Sequence, residues 1–183
     1  VPSKTTTYTW KIDVFKYTMV KGENGAADTE KALAGAQFVL YKTVNNMKYY
    51  AVVDANNKIT GWTTEGVKPE ENADESKTYA SVFTTPASGK FTITGLDSDT
   101  YYLEETKAPA GYNMLKEAVQ VTIGKDGTVS YGTSTGEVKI ENNTGTELPS
   151  TGGMGTTIFY VLGGVLMAGA FVLLVVRKRM RTE

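Results

Sequence analysis

The sequence predicts an all-β protein, an immunoglobulin-like β-sandwich followed by a single C-terminal transmembrane helix. Three observations predict this class. Residues 1–143 are rich in Thr, Tyr, Val and Ile, which favour strands. Short alternating runs in this region are separated by Gly, Asn and Asp, as is typical of strands joined by turns. Residues 158–176 form an uncharged apolar run of 19 residues, long enough to cross the hydrocarbon core of a bilayer as a helix.

The first predicted strand has the clearest pattern. Between Tyr8 and Lys16, alternate residues are apolar, so Trp10, Ile12 and Val14 share one face, and Lys16 falls on that same face. Similar short runs follow along the chain. The nine predicted strands cover residues 8–16, 36–41, 49–53, 58–62, 90–94, 101–105, 118–123, 128–131 and 137–142.

The segments between these runs predict turns and loops. Residues 54–57 and 124–127 carry the Asn, Asp and Gly that connect β-hairpins. Residues 21–31 read as a polar loop. Residues 65–78 are charged and contain Pro69, which predicts a solvent-exposed insertion. Nine strands with mostly local turns favour a sandwich.

The C-terminal region divides into three further parts. Residues 144–155 are predicted to form a linker, residues 156–176 the transmembrane helix and residues 177–183 a basic tail. Basic residues next to a membrane helix remain on the cytoplasmic side, so we expect residues 1–150, which include the predicted β-domain at 1–143, to face outward. The basic residues that would stop transfer through the membrane are Arg177, Lys178, Arg179 and Arg181.

Composition limits the possible chemistry. The chain has no Cys and no His, so disulfides, a thiol nucleophile and the preferred zinc ligands are excluded, and we expect no enzyme, no metal site and no cofactor. The formal net charge is −1, and the absence of a basic patch interleaved with aromatics predicts no nucleic-acid partner. The start, Val1-Pro2-Ser3-Lys4, lacks a signal-peptide pattern. We therefore expect the C-terminal part of a longer precursor, or a processed form.

One short motif stands before the apolar run. Leu148, Pro149, Ser150, Thr151 and Gly152, followed by the apolar run and basic tail, resemble the wall-sorting signal of Gram-positive surface proteins. In that signal a sortase cleaves an LPxTG pentapeptide. The resemblance implies cleavage between Thr151 and Gly152, an acyl-enzyme formed through Thr151, and transfer to an amine of peptidoglycan or of a neighbouring pilin subunit. The alternative is a permanent membrane anchor with a chance pentapeptide.

A second motif lies in the predicted strand at 101–105 and the residues after it. The segment from Tyr101 to Tyr112 matches YxLxETxAPxGY at every fixed position and resembles the E-box of Gram-positive pilins and of CnaB-like (SpaA-type) domains. The matching residues are Tyr101, Leu103, Glu105, Thr106, Ala108, Pro109, Gly111 and Tyr112.

The resemblance implies an intramolecular isopeptide bond between Lys16 in the first strand and Asn142 in the last, with Glu105 assisting. The chemistry has a physical basis. Burial disfavours charged forms, so an amine and an acid can meet in their neutral states. The free amine is a nucleophile for the amide carbonyl, and the acid can carry the protons that let ammonia leave.

Other residues compete for each role. Lys11 and Glu104 are alternatives for the amine and the acid, but period-2 alternation places them on the faces opposite Lys16 and Glu105. Asn143 remains an alternative to Asn142 as the amide. In a strand, an exposed Lys or Glu is the ordinary case.

Two kinds of function fit these features. The first is structural: the C-terminal domain of a sortase-processed pilin or fimbrial subunit, anchored to peptidoglycan. The second is a wall-anchored adhesin that binds a host ligand through residues 42–90. The aromatic residues of that region that could line a ligand surface are Tyr49, Tyr50, Trp62 and Tyr79. Packing within the sheet is the more ordinary role for such aromatics.

Overall fold

The computed structural model describes residues 9–145, which form two β-sheets and contain no α-helix. Twelve strands lie in this part of the chain. They are β1 (Trp10–Val20), β2 (Thr29–Ala32), β3 (Gln37–Val44), β4 (Met47–Val53), β5 (Ile59–Thr63), β6 (Phe83–Thr84), β7 (Lys90–Leu96), β8 (Thr100–Lys107), β9 (Val119–Ile123), β10 (Val129–Tyr131), β11 (Ser134–Thr135) and β12 (Val138–Glu141).

The smaller sheet is built around β1. Strands β2 and β7 pair antiparallel with different stretches of β1, whereas β12 pairs with β1 in parallel, with Lys16 opposite Ile140. The larger sheet has the order β11-β10-β9-β8-β3-β4-β5, and β6 pairs with β3. The first and last strands of the described region are therefore neighbours in one sheet, facing the sheet that contains β8.

The core lies between the two sheets. In β1, Ile12, Val14 and Lys16 are buried and the residues between them are not, as expected when one face of a strand packs and the other is solvated. In β8 the same alternation buries Tyr101 and Leu103. The remaining core is supplied mainly by Ala36, Phe38, Leu40, Ala51, Phe83, Phe91, Ile93, Leu96, Val121, Ile123, Val138 and Ile140.

The predicted all-β class is confirmed, and each of the nine predicted strands corresponds to a strand of the structure. The sequence analysis missed the short strands β2, β6 and β11. It was wrong to assign residues 29–31 to a loop, because they form most of β2. These strands have two to four residues, too few to show a period.

The 64–82 segment between β5 and β6 contains no strand, in agreement with the predicted exposed loop at 65–78. Its charged side chains pair with one another: Lys77 contacts Glu65 at 2.8 Å and Lys68 contacts Glu75 at 2.7 Å. Within residues 9–145 there is no helix with the length and hydropathy to cross a membrane. The predicted linker, transmembrane helix and basic tail lie outside the described residues, apart from the first two residues of the linker.

Candidate functional site

A lysine, a glutamate and an asparagine meet in the interior at one end of the core. Lys16 is 0 % exposed, Asn142 is 1 % exposed and Glu105 is 4 % exposed. Burying charged groups is costly unless they are paired and hydrogen-bonded. Their burial therefore requires that the three groups pair with one another, and it marks the cluster as a candidate functional site.

The pairing of β1 with β12 places the lysine beside the asparagine. Lys16 lies opposite Ile140 in the parallel register, so Asn142, two residues further, projects from the same face of its chain. Asn142 lies just after β12, but its backbone N–H still donates to the carbonyl of Tyr17 at 2.9 Å. This bond continues the strand geometry by one residue and directs the Asn142 side chain inward.

The carboxyl group comes from the opposite sheet. Glu105 lies in β8 opposite Phe38 of β3, on the buried face that also carries Leu103. The ring centroid of Phe38 lies 6.0 Å from Lys16 Nζ, so an aromatic side chain forms part of the apolar wall around the amine.

The three polar groups contact one another in the interior. Lys16 Nζ donates to Asn142 Oδ1 at 2.5 Å and to the carbonyl of Ile140 at 3.2 Å. Asn142 Nδ2 donates to Glu105 Oε1 at 2.9 Å, and the same oxygen lies 3.7 Å from Lys16 Nζ. Because a carbonyl bond is about 1.2 Å long, Asn142 Cγ lies at most about 3.7 Å from the lysine nitrogen. The described part of the chain leaves no buried side-chain nitrogen or oxygen without a partner.

Burial is the main cause that lowers the pKa of Lys16 from 10.5 to about 8, and the charge and hydrogen bond of Glu105 oppose this shift. At neutral pH about a tenth of such amines are deprotonated. The site therefore supplies a neutral amine, the nucleophilic form, in a fraction that is far larger than for a solvated lysine.

The alternative residues from the sequence analysis lie outside the buried cluster. The Lys11 side chain is 63 % exposed and pairs with Asp13 at 2.8 Å. Glu104 points to the other face of β8 and pairs with Lys48 at 2.9 Å. Asn143 is exposed. Lys16, Glu105 and Asn142 come together, and none of these alternatives joins them.

The remaining E-box residues build the strand and turn that hold Glu105. Tyr101 is buried against Trp62, with ring centroids 5.9 Å apart, and its hydroxyl donates to the carbonyl of Asp97 at 3.0 Å. Burial raises the pKa of Tyr101 to about 12, so the phenol remains a neutral donor.

After β8, the chain reverses in a turn closed by the bond from Tyr112 N–H to Pro109 O, 3.1 Å long, in which Gly111 has a φ of 85°. Only glycine adopts this φ without a steric cost. Ala108 and Pro109 lead into the turn, and the Thr106 hydroxyl donates to the carbonyl of Gln37 at 3.3 Å.

Sequence reasoning missed the residues that hold the site through their backbone. The N–H of Leu115 donates to Glu105 Oε2 at 2.8 Å. The N–H of Asn113 donates to the carbonyl of Asn143 at 3.1 Å, and the Asn113 side-chain amide donates to the carbonyl of Gly145 at 2.8 Å. A backbone donor has no signature in sequence, so no residue pattern could have identified Leu115.

The predicted sorting residues Leu148, Pro149, Ser150, Thr151 and Gly152, and the basic residues Arg177, Lys178, Arg179 and Arg181, lie outside the described residues. Their placement stays a prediction from sequence.

Comparison with known proteins gives the class of the molecule. A family model for the SpaA prealbumin-like fold domain matches residues 18–143, and a model for the LPXTG cell wall anchor motif matches residues 140–181. The chain is thus a surface protein anchored to the cell wall, with an extracellular β-domain. It belongs to the SpaA family of prealbumin-like domains, which confirms the resemblance stated from its sequence motifs.

Two relatives are a bacterial surface protein and a bacterial fimbrial subunit. The chain is 29% identical over 142 residues to the trypsin-resistant surface T6 protein of Streptococcus pyogenes, covering 75% of this chain and 24% of the relative. It is 28% identical over 174 residues to the type 1 fimbrial subunit of Actinomyces viscosus, covering 86% and 31%. The chain thus spans about a quarter to a third of the length of these relatives.

Two pilin structures resemble the fold. The pilus 2b backbone protein of group B streptococcus superposes with a TM-score of 0.50 at 33% identity, covering 77% of this chain and 43% of that one. The SpaE basal pilin of Lactobacillus rhamnosus GG gives a TM-score of 0.50 at 20% identity, covering 74% and 47%. The second likeness concerns the fold alone.

Proposed function

We propose that this chain is the C-terminal part of a pilus subunit. Its β-domain, residues 1–143, forms an intramolecular isopeptide cross-link between Lys16 and Asn142. The observation that carries the proposal is the buried contact of Lys16 Nζ, Asn142 and Glu105. The E-box match and the pilin relatives support it.

The proposed reaction forms one bond and breaks another. The neutral amine of Lys16 attacks Asn142 Cγ, which lies close to the 3–3.5 Å separation of a near-attack geometry. The Cγ–Nδ2 bond then breaks, and nitrogen leaves as ammonia. Glu105 Oε1 contacts Nδ2 and lies near Nζ, so one oxygen can take the proton from the attacking nitrogen and deliver it to the leaving one.

The domain performs this reaction once and is not an enzyme in the ordinary sense. Its carboxyl group is regenerated, but the amine and the amide are consumed. Because the fold already holds the reacting groups in position, the reaction avoids the entropy cost of bringing them together. In well-oriented systems this lowers the barrier by roughly 7–11 kcal/mol.

The bond would close a loop between residues that are 126 positions apart. By the chain-entropy account of cross-links, closing such a loop disfavours the unfolded state by about 5 kcal/mol. That is a substantial fraction of the stability of a typical domain. A chain without Cys gains in this way a covalent restraint that does not depend on a disulfide.

We further propose that a sortase cleaves between Thr151 and Gly152 and transfers Thr151 to an amine of peptidoglycan or of a neighbouring pilin subunit. The matched LPXTG anchor model supports this assignment. The apolar segment and basic tail would hold the precursor in the membrane until cleavage.

The adhesin alternative has less support from the described residues. Tyr50 contacts Tyr41 with ring centroids 5.6 Å apart, Trp62 stacks on Tyr101, and the hydroxyl of Tyr79 accepts a bond from Asp74 N–H. These aromatics are partly buried and engaged within the domain, which favours their interpretation as packing residues.

The test is the intact mass of the full chain, purified in detergent. We expect a mass about 17 Da below the sequence mass, the ammonia lost when an amine displaces an amide nitrogen. Lys16→Ala, Asn142→Ala and Glu105→Gln should each abolish this loss, the last because it keeps both bonding partners but removes the proton carrier. Peptide mapping should give one branched peptide containing Lys16 and Asn142.

Matched controls come from the alternatives that the structure places outside the site. Lys11→Ala, Glu104→Gln and Asn143→Ala should all retain the mass loss. A folded wild-type chain with its full sequence mass would contradict the proposal, as would a mass loss that disappears in Asn143→Ala and persists in Asn142→Ala.

A further inference from the structure

We propose that Asn113 is a positioning residue for the cross-link, and that Asn113 and Leu115 together clasp the acid and the amide in one geometry. This inference rests on the proposed isopeptide function. The clasp is defined by the bonds from Asn113 to Asn143 and Gly145 and from Leu115 to Glu105.

The clasp holds the segment around Asn142, which strand pairing alone does not hold on both sides. Asn142 lies beyond the end of β12, so the ladder holds it on one side only, through its own N–H to Tyr17. The next residues have no strand partner in the described part of the chain. Asn113, in the connection between β8 and β9, holds them through the carbonyls of Asn143 and Gly145 on either side of Thr144.

The same segment fixes the acid. The Leu115 N–H donates to Oε2 of Glu105, which leaves Oε1 to face Asn142 Nδ2 and Lys16 Nζ. Because Asn113 and Leu115 are only two residues apart, they link the position of the carboxyl group to that of the amide. The Pro109–Tyr112 turn, with Gly111 at a φ of 85°, brings this segment back over the site.

The side chain of Asn113 is the part of the clasp that mutation can change cleanly. Asn113→Asp retains size and the backbone N–H but replaces the donor by a carboxylate oxygen that faces the Gly145 carbonyl. Two acceptors then oppose each other, so the segment carrying Asn142 is released. Asn72→Asp makes the same charge change in the exposed loop at 64–82 and serves as the matched control.

The experiment separates folding from covalent closure. The full chain is dissolved from inclusion bodies in denaturant, and folding is started by dilution into detergent buffer. Fluorescence of Trp10 and Trp62 reports folding, and intact mass at timed intervals reports the loss of ammonia. We expect Asn113→Asp to fold but to close at least about fivefold more slowly than wild type, the factor for one lost hydrogen bond. Asn72→Asp should close at the wild-type rate.

A second measurement distinguishes positioning from a general loss of stability. In the Lys16→Ala background no bond can form, so urea unfolding reports the effect of Asn113→Asp on the fold alone. A small shift of the midpoint together with slow closure supports positioning. Closure at the wild-type rate in Asn113→Asp, with Asn113→Ala as a second variant if the first does not fold, overturns it. A wild-type chain that never loses ammonia would instead overturn the cross-link itself.

Discussion

At the scale of single residues, the site depends on where one proton resides. Burial lowers the pKa of Lys16 to about 8, and Glu105 Oε1 lies 3.7 Å from its nitrogen. Only the neutral amine is a nucleophile, so the Lys16 ammonium must lose a proton before it attacks. In the proposed reaction the Glu105 carboxyl group then carries the proton of the attacking nitrogen to the leaving nitrogen.

The need for a neutral amine predicts the pH dependence of closure. Below the Lys16 pKa of about 8, the fraction of neutral amine rises about tenfold per pH unit, so the closure rate should rise with pH and level off above about pH 8. Timed intact mass of the refolding chain measures it. A rate that is constant below pH 8 and falls above it would contradict this order of proton transfers.

The sequence predicted three site residues that the structure brings together, but it did not predict what positions them. Alternation along β1 and β8 was sufficient to place Lys16 and Glu105 inward, and the E-box added the chemistry. Asn142 could not be distinguished from Asn143, because alternation becomes uncertain where a strand ends. The deciding contact, Asn142 N–H to Tyr17 O, joins the two ends of the described region, and no local pattern predicts it.

At the scale of elements, the hairpin predictions were correct where Asn, Asp or Gly residues marked the turn. The pairs β4–β5 and β9–β10 formed as predicted. The β3–β4 turn was missed, although Asn45 and Asn46 have φ values of 50° and 62°, the positive values that a two-residue type I′ hairpin turn requires. Asparagine tolerates this region better than most residues, so the Asn-Asn pair was the available signal.

The β9–β10 hairpin also supports the first strand. Gly127 has a φ of 83°, and a Cβ added there would lie 2.3 Å from ring atoms of Trp10. At Gly136, with a φ of 95°, an added Cβ meets nothing within 4 Å. The two glycines share the backbone requirement, but only Gly127 has the tight contact with the indole.

We therefore predict that Gly127→Ala destabilises the domain more than Gly136→Ala does. Both should lose about 1 kcal/mol for placing a side chain at positive φ, and Gly127→Ala should lose at least about 1 kcal/mol more because Trp10 must move. Urea unfolding in the Lys16→Ala background measures both, since an intact cross-link would stabilise every variant. Equal losses would mean that the indole moves aside at little cost, which would contradict the prediction.

At the scale of the whole molecule, the proposed sorting signal would determine whether the chain is linked to the wall. Thr151→Ala removes the residue whose carbonyl would be transferred, so we expect the protein in the membrane or the medium and not linked to the wall. Fractionation of cells and detection of the β-domain measure this. Ser150→Ala changes the variable position of the motif and should leave wall linkage intact. Wall linkage in Thr151→Ala would contradict the proposed cleavage.

The arrangement of the first and last strands suggests how the domain would carry load. Because β1 and β12 are parallel neighbours, a pull on the N-terminal side of β1 against the C-terminal side of β12 shears the two strands past each other. A bond from Lys16 to Asn142 would join them across this shear plane. Force would then pass through the bond, and the residues between them would not be drawn out.

Single-molecule stretching of the full chain, held by residues near its N-terminus and the sorting motif, tests this. The wild type should show no unfolding step of the length stored between Lys16 and Asn142. For 126 residues that length is about 40 nm of extended chain. Lys16→Ala should show this step, because the hydrogen bonds between β1 and the four-residue β12 separate under load, whereas a covalent bond does not. Glu104→Gln retains the predicted bond and should behave as the wild type. A 40 nm step in the wild type would mean that the load is carried by the sheet and not by a cross-link.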